Sequence, residues 1–297
     1  MKIRYIERST GEERFETVYY PSLAKISYGD GFCNRLISKV LLFLFVKFPL
    51  LSILGGFWQK SRASKRKIAP FIQKFGVDRS EFLKEDFSSF NDFFIRKLKP
   101  EARPIDRDPK VLITPADGRY LTYSQFTEFA IKGKTFSLLE FTQNQEYASR
   151  YADGSMAIIR LCPSDYHHFH FPYDGLPSKP RLINGFFDSV SPLALQRKIR
   201  ILCENKRMIT EFETDRFGTI LIVEIGAIGV GAIRQTFTPE SFVKKGAEKG
   251  YFEFGGSCIV LLFEKNRVEF DPIFLQSTKK GLETRSNFGQ SLAKIQM

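Results

Sequence analysis

The chain has 297 residues, 43% of them hydrophobic, and 45 Lys and Arg against 33 Asp and Glu give it a formal charge of +12. Such a length and apolar content exclude a disordered chain and suffice for one large core, or for one domain with an appended segment. The charge favours an anionic partner, a polyanion or an anionic lipid surface, without separating the two.

Four cysteines, Cys33, Cys162, Cys203 and Cys258, have neither a CxxC pair nor metal-ligand spacing. This argues against a disulfide framework and a zinc site and for a reducing compartment. The start, Met1 to Arg8, lacks the apolar stretch and cleavage site of a secretory signal.

Ile3 and Tyr5, then Phe15, Val18 and Tyr20, flank the turn signal Thr10-Gly11, which predicts a hairpin within an N-terminal β segment, 1–30. From Phe32 the period changes, and Val40 to Val46 and Phe48 to Trp58 form the most apolar region, a helix broken near Pro49. Its uninterrupted apolar run falls well short of the ~20 residues that a transmembrane helix needs. Arg35, Lys39 and Lys47 share one side of the helical wheel, and Lys60, Arg62, Lys65, Arg66 and Lys67 follow the only Trp. That pattern suits a helix lying in the membrane interface, with a buried helical hairpin as the plainer alternative. The region 31–100 is therefore expected to be helical and membrane-associating.

Ser89 to Leu98 reads as a helix capped by Ser89 or Asn91, and the proline-rich, charged Pro100 to Pro109 marks a boundary. Beyond it, 101–297 is expected to be a β-rich, mainly antiparallel domain, so the class is α+β. The predicted strands are Met156 to Leu161, Arg181 to Phe187, Met208 to Phe212, Thr219 to Ile225, Gly229 to Ile233 and Ile259 to Phe263.

Three places in this half carry chemical potential. Asp117 sits in the turn Thr114-Pro115-Ala116-Asp117-Gly118, where an aspartate ordinarily bonds its own backbone. All three histidines lie in Asp165-Tyr166-His167-His168-Phe169-His170, where strand alternation sends His168 and His170 to one face and His167 with Phe169 to the other. Their spacing is wrong for a two-histidine metal motif, so no metal is expected and acid/base use is better supported. Finally, Gly255-Gly256-Ser257 enters the apolar run Cys258 to Phe263, either as a bulge or as a strained turn that lets another group approach the Gly256 carbonyl.

Together these segments resemble the phosphatidylserine decarboxylases. Phe254-Gly255-Gly256-Ser257 resembles that family's self-cleavage site, Asp165 to His170 followed by Pro172 its Asp-Tyr-His-x-x-His signature, and Pro115 to Gly118 its Asp-Gly turn. Similar too are Ser89 to Phe94, Lys99 to Pro104, Ile131 to Lys134, Asn205 to Arg207 and Gly226 to Gly231. Three departures stand out: Cys258 where Thr or Ser is usual, His168 where Arg is common, and Lys206 for Glu.

The resemblance implies a proenzyme that cuts itself between Gly256 and Ser257. Ser257 would become a covalent pyruvoyl group, the electron sink that decarboxylation needs, which takes up the substrate amine as a Schiff base. It further implies His170 as the base for Ser257, Asp117 as the orienter of His170, and His167 as the acid/base of decarboxylation. The implied partners are phosphatidylserine, which becomes phosphatidylethanolamine, an anionic lipid surface, and the chain's own two fragments as a heterodimer, with further oligomerisation open. Nucleic acid is not among them, and the implied location is peripheral, on the cytoplasmic face of the cell membrane. Read from the residues alone, Ser257, His170 and Asp117 equally suit a hydrolase triad, and the β-rich half suits a membrane-docked binding module.

Overall fold

The computed structural model describes residues 2–17, 56–125, 137–190, 194–195, 198–227, 232–255 and 257–296. The apolar helix predicted from Phe32 lies outside these residues up to position 55, as do Ile131 to Lys134, positions 228–231 and Gly256.

The strands are short and mostly antiparallel. In chain order they are β1 (Lys2–Glu7), β2 (Glu13–Thr17), β3 (Val111–Ile113), β4 (Gly118–Tyr123), β5 (Ser155–Leu161), β6 (His168–His170), β7 (Leu176–Pro177) and β8 (Arg181–Ile183). Then come β9 (Arg207–Thr214), β10 (Gly218–Gly226), β11 (Ile233–Gln235), β12 (Glu248–Phe252), β13 (Ser257–Phe263), β14 (Val268–Phe270), β15 (Glu283–Ser286) and β16 (Ser291–Ile295). A ten-stranded sheet runs β2-β1-β15-β4-β5-β13-β10-β9-β7, with β8 also on β9; β11-β12-β6 and β14-β16-β3 form two smaller sheets. The N-terminal hairpin is an edge of the main sheet, through the parallel pairing of β1 with β15.

Strand β13 lies between β5 and β10, and all seven of its residues are buried. An unbroken apolar run fits such a position, because both faces of a central strand are covered. Cys258, Val260 and Leu262 pack with Leu121, Ile158 and Val223 in one core, which also takes Phe141 of α3 (Leu138–Thr142) and Leu202 of α5 (Ile201–Glu204). Ile259, Leu261 and Phe263 pack in a second core with Phe169, Phe171 and Phe252, under the sheet that carries the histidines. By alternation, Ser257 shares this second face.

Ahead of the sheet, residues 56–60 are helical and are followed by a 3-10 turn over Arg62–Lys67 and by α1 (Ile68–Phe75). The short α2 (Phe90–Phe94) is capped by Ser89, whose hydroxyl accepts from the Asp92 amide at 3.1 Å. Phe71, Phe82, Phe87, Phe90, Phe93 and Phe94 form a third, aromatic core, against which Phe254 packs. Between α3 and α5 lies α4 (Gln145–Arg150), and α6 (Pro272–Lys279) packs on β4. The architecture is thus mixed α/β with mostly antiparallel sheets and few helices. Among the described residues no helix is long and apolar enough to cross a membrane, and the described part of 31–100 is helical in short pieces over 56–60, 62–75, 79–81 and 90–94.

Candidate active site

Ser257 begins β13, where its backbone faces Gly226 of β10 and Leu161 of β5. Its side chain is fully buried, and its hydroxyl has no hydrogen-bond partner among the described residues. A buried orphan hydroxyl is costly and calls for an explanation beyond packing. The loop that leads to it is tightly held. Glu253 takes Lys60 at 2.9 Å and Arg234 at 3.2 Å, the Phe254 amide donates to Asn91 Oδ1 at 3.0 Å, and the Phe254 ring lies 5.3 Å from Phe90 and 5.1 Å from Phe94. Gly255 then adopts φ 154°, a backbone region open to glycine.

The histidine stretch alternates as its sequence predicts. Tyr166 stacks on His168 and faces His170, while Phe169 enters the apolar core. His167 Nδ1 lies 2.9 Å from the Asp165 carbonyl, which can only accept, so Nδ1 carries the proton and Nε2 is bare. His170 repeats this arrangement with the Gly246 carbonyl at 3.0 Å. Both Nε2 atoms are buried and have no partner among the described residues. Burial pushes His167 down to about 3 and His170 to about 4, so both rings are neutral near pH 7. Phe94 covers His167 with ring centroids 3.9 Å apart, and Phe288 stacks on His170 at 3.8 Å. Two neutral imidazoles with free lone pairs are what proton abstraction requires.

Asp117 is buried, but its carboxylate is spent elsewhere. Arg103 donates to it from Nε at 3.0 Å and from Nη2 at 2.7 Å, and the Phe288 amide donates at 2.8 Å. The other side of the same guanidinium holds Glu81. No hydrogen bond joins Asp117 to His170, whose orienting acceptor is Gly246. The connection between them runs through Phe288, whose amide meets Asp117 and whose ring covers His170. Next to Asp117, Gly118 permits a close strand approach, since a Cβ there would lie 2.9 Å from Ile159 Cγ2. Asp165 is equally engaged, by Arg119 at 3.0 Å and the Cys162 amide at 2.8 Å. Burial would raise its pKa, but Arg119 and that amide more than offset this and keep it low.

The comparisons with known proteins agree with one another. A sequence model of the family "Phosphatidylserine decarboxylase" matches residues 90–294. A phosphatidylserine decarboxylase proenzyme of Chlamydia muridarum (strain MoPn / Nigg) is 46% identical over 295 residues, 98% of this chain and 96% of that one. The same-named protein of Chlamydia pneumoniae is 44% identical over 300 residues, 99% and 98% of the two chains. The chain belongs to the phosphatidylserine decarboxylase family.

The family match begins at Phe90, so it takes in α2, the Asp117 turn, the histidine stretch and β13. Within it, the structure brings Ser257 and the histidine-bearing sheet to the same side of β13, while Cys258 faces the opposite core. Three contributions escape a reading of residues one by one. Arg103 reads as part of a charged boundary yet holds Asp117; Asn91 reads as a possible cap yet holds the loop before Ser257. Lys249 carries no signal in the sequence, yet its Nζ is buried 2.8 Å from Glu224 Oε1 and 2.9 Å from Gln235 Oε1. The signal available for Arg103 and Asn91 is that both fall in segments that resemble the family.

Proposed function

We propose that this chain is a proenzyme that cuts itself before Ser257 and then decarboxylates phosphatidylserine to phosphatidylethanolamine, with a pyruvoyl group made from Ser257. Decarboxylase activity follows from family membership. The observation that carries the rest is the buried Ser257 hydroxyl, without a hydrogen-bond partner among the described residues, at the start of a central strand and behind a clamped loop, with two neutral imidazoles on and beside β6, whose sheet closes the same core.

In the cutting step His170 Nε2 takes the proton of the Ser257 hydroxyl, whose oxygen attacks the Gly256 carbonyl carbon. The peptide nitrogen leaves as an amine and an ester links the two residues; elimination then releases the Gly256 carboxylate and leaves a dehydroalanine, which water converts to the ketone with loss of its nitrogen as ammonia. Gly246 keeps the His170 lone pair on Nε2, and Asp117 acts through Phe288, holding the ring that covers His170. The pyruvoyl group, once formed, supplies the electron sink for loss of carbon dioxide. His167, with Nδ1 fixed by Asp165, is the residue that holds or returns a proton at the substrate carbon.

Residues 101–297 carry this chemistry in our reading, 31–100 the lipid contact, and 1–30 a β segment that extends the catalytic sheet. The lipid contact is supported by Phe57 and Trp58, 68% and 40% exposed, next to the exposed Lys60, Arg62, Lys65 and Arg66. Apolar rings beside a basic run suit peripheral docking on an anionic surface, which in our reading is the cytoplasmic face of the cell membrane. The two fragments stay together as a heterodimer, because β13 pairs on both edges with strands of the larger fragment.

Intact-mass measurement of the purified protein tests the core of this reading. Two fragments that split before Ser257, the smaller without an N-terminal amine, are expected; a single uncut chain without decarboxylase activity would overturn it. For docking, replacing Phe57 and Trp58 by Ser should leave cutting intact and abolish sedimentation with phosphatidylserine vesicles.

A further inference from the structure

His168 is the one histidine to which the proposed chemistry assigns nothing. It lies on β6 between the other two, 2% exposed, and both of its ring nitrogens are engaged. Nδ1 is 3.0 Å from Glu248 Oε2, and Nε2 is 2.9 Å from the Ile95 carbonyl oxygen. A carbonyl has no proton to give, and neither has an ionised carboxylate. Glu248 is held as a carboxylate by partners other than His168, since the Thr236 hydroxyl donates to its other oxygen at 3.0 Å and Lys97 Nζ lies 3.5 Å away. A neutral imidazole has one N–H and one lone pair, so it would satisfy one of these acceptors and repel the other. An imidazolium satisfies both.

We propose that His168 is held as an imidazolium and serves as a positioning residue, a cationic bridge between the end of α2 and β12. The bridge rests on the functional reading above, because of what it ties together. Ile95 directly follows α2, whose Phe94 covers His167 and whose Asn91, Phe90 and Phe94 hold Phe254 ahead of Ser257. Glu248 stands opposite His170 in the pairing of β12 with β6. A five-residue helix has little stability of its own, so its place depends on such ties. One side chain therefore sets the cover of His167, the strand beside His170 and the loop to Ser257.

The surroundings suit a cation. Tyr166 stacks on the ring at 5.0 Å and 12°, and Tyr251 lies 5.2 Å away, both presenting aromatic faces. Glu248 is the opposite charge, and Thr236 Oγ1 at 3.0 Å secures its second oxygen. Lys97 Nζ, 3.5 Å from Glu248, is a competing cation, but it is 61% exposed and screened by water. Arg96, buried next to Ile95, spends its guanidinium on the Ser164 and Asp165 carbonyls, and His167 and His170 are neutral.

The test uses the mature protein grown with ¹⁵N-labelled histidine. With only three histidines in the chain, a side-chain ¹H–¹⁵N spectrum at pH 7 should show one ring protonated on both nitrogens and two rings with one bare nitrogen. The doubly protonated signal should vanish in His168→Arg. That variant keeps a charged double donor and should cut itself and turn over within about threefold of the wild type. His168→Gln, with a single donor group and no charge, should slow both steps by about 10- to 100-fold, the worth of one charged hydrogen bond. A bare nitrogen on His168 at pH 7, or wild-type rates in His168→Gln, would overturn the proposal. Failure of the catalytic reading is a separate result, an uncut wild-type chain, and leaves the spectrum interpretable.

Discussion

The two faces of β13 are made of the same kind of residue and do different work. On one, Cys258, Val260 and Leu262 meet a core that short helices help to cover; on the other, Ile259, Leu261 and Phe263 meet a core closed by β6 and β12. On the first side the short helices give carbonyls, those of Glu140, Phe141 and Cys203, to the buried guanidinium of Arg207. Around the sheet that closes the second, the carbonyls of Asp165 and Gly246 instead fix the imidazoles of His167 and His170. Backbone acceptors thus hold a permanent cation in one region and leave two neutral rings with bare nitrogens in the other.

The largest expected effect strikes the second face where β13 begins. Ser257→Ala should leave one uncut chain on a denaturing gel with no decarboxylation, and a cut product would end the proposed role of that hydroxyl. His167→Ala should be cut like the wild type and yet lose about 10²- to 10⁴-fold in turnover; a chain that stays whole would exchange the roles of His167 and His170. Arg103→Met removes the cation from a buried carboxylate, a change that costs about 3–5 kcal/mol. Urea unfolding of that variant should reveal the loss, and an unchanged midpoint would mean that Asp117 does not depend on the pair.

The neutral histidines also make this face sensitive to acid. Both regain their ordinary value of 6.5 on unfolding, against about 3 and about 4 when folded. Between those limits the unfolded chain binds more protons, so stability falls as pH drops below 6.5. The loss by pH 5 should be on the order of 2 kcal/mol for each ring, and His167→Gln should remove about half of it in urea unfolding measured across that range. Glu16 and Asp165, held low against burial by their arginines, act below the ordinary carboxylate range and so leave this window clear. The smallest effect belongs to the other face. Cys258→Ala should cost about 1 kcal/mol of stability and leave the rate of cutting within a few-fold, since its side chain points away from the chemistry.

Much of the catalytic strand was legible because its signals are local. The run Cys258 to Phe263, the turn at Asp117 and the alternation around His167 each depend on neighbours within a few residues, and period and turn chemistry report such neighbours directly. The partners were not legible. Asn91 meets Phe254 across 163 positions, and the acceptors of His168 lie 73 and 80 positions away. Asp117 shows the cost of pairing residues by type alone: a carboxylate and an imidazole suggest a bond, but Arg103 and the Phe288 amide have already taken the carboxylate's oxygens.

The amino-acid order by itself determined which residues can do chemistry here, one serine behind two glycines and three histidines in one stretch, because reactivity belongs to the side chain. It also determined the longer strands β5, β9, β10 and β13 through their period, but not the short β3, β6, β12 or β14 to β16. What only the tertiary structure decided is the state of each group. Whether an imidazole is neutral with a bare nitrogen, as at His167 and His170, or must donate twice, as at His168, depends on which acceptor lies about 3 Å away. Folding brings those acceptors from distant parts of the chain.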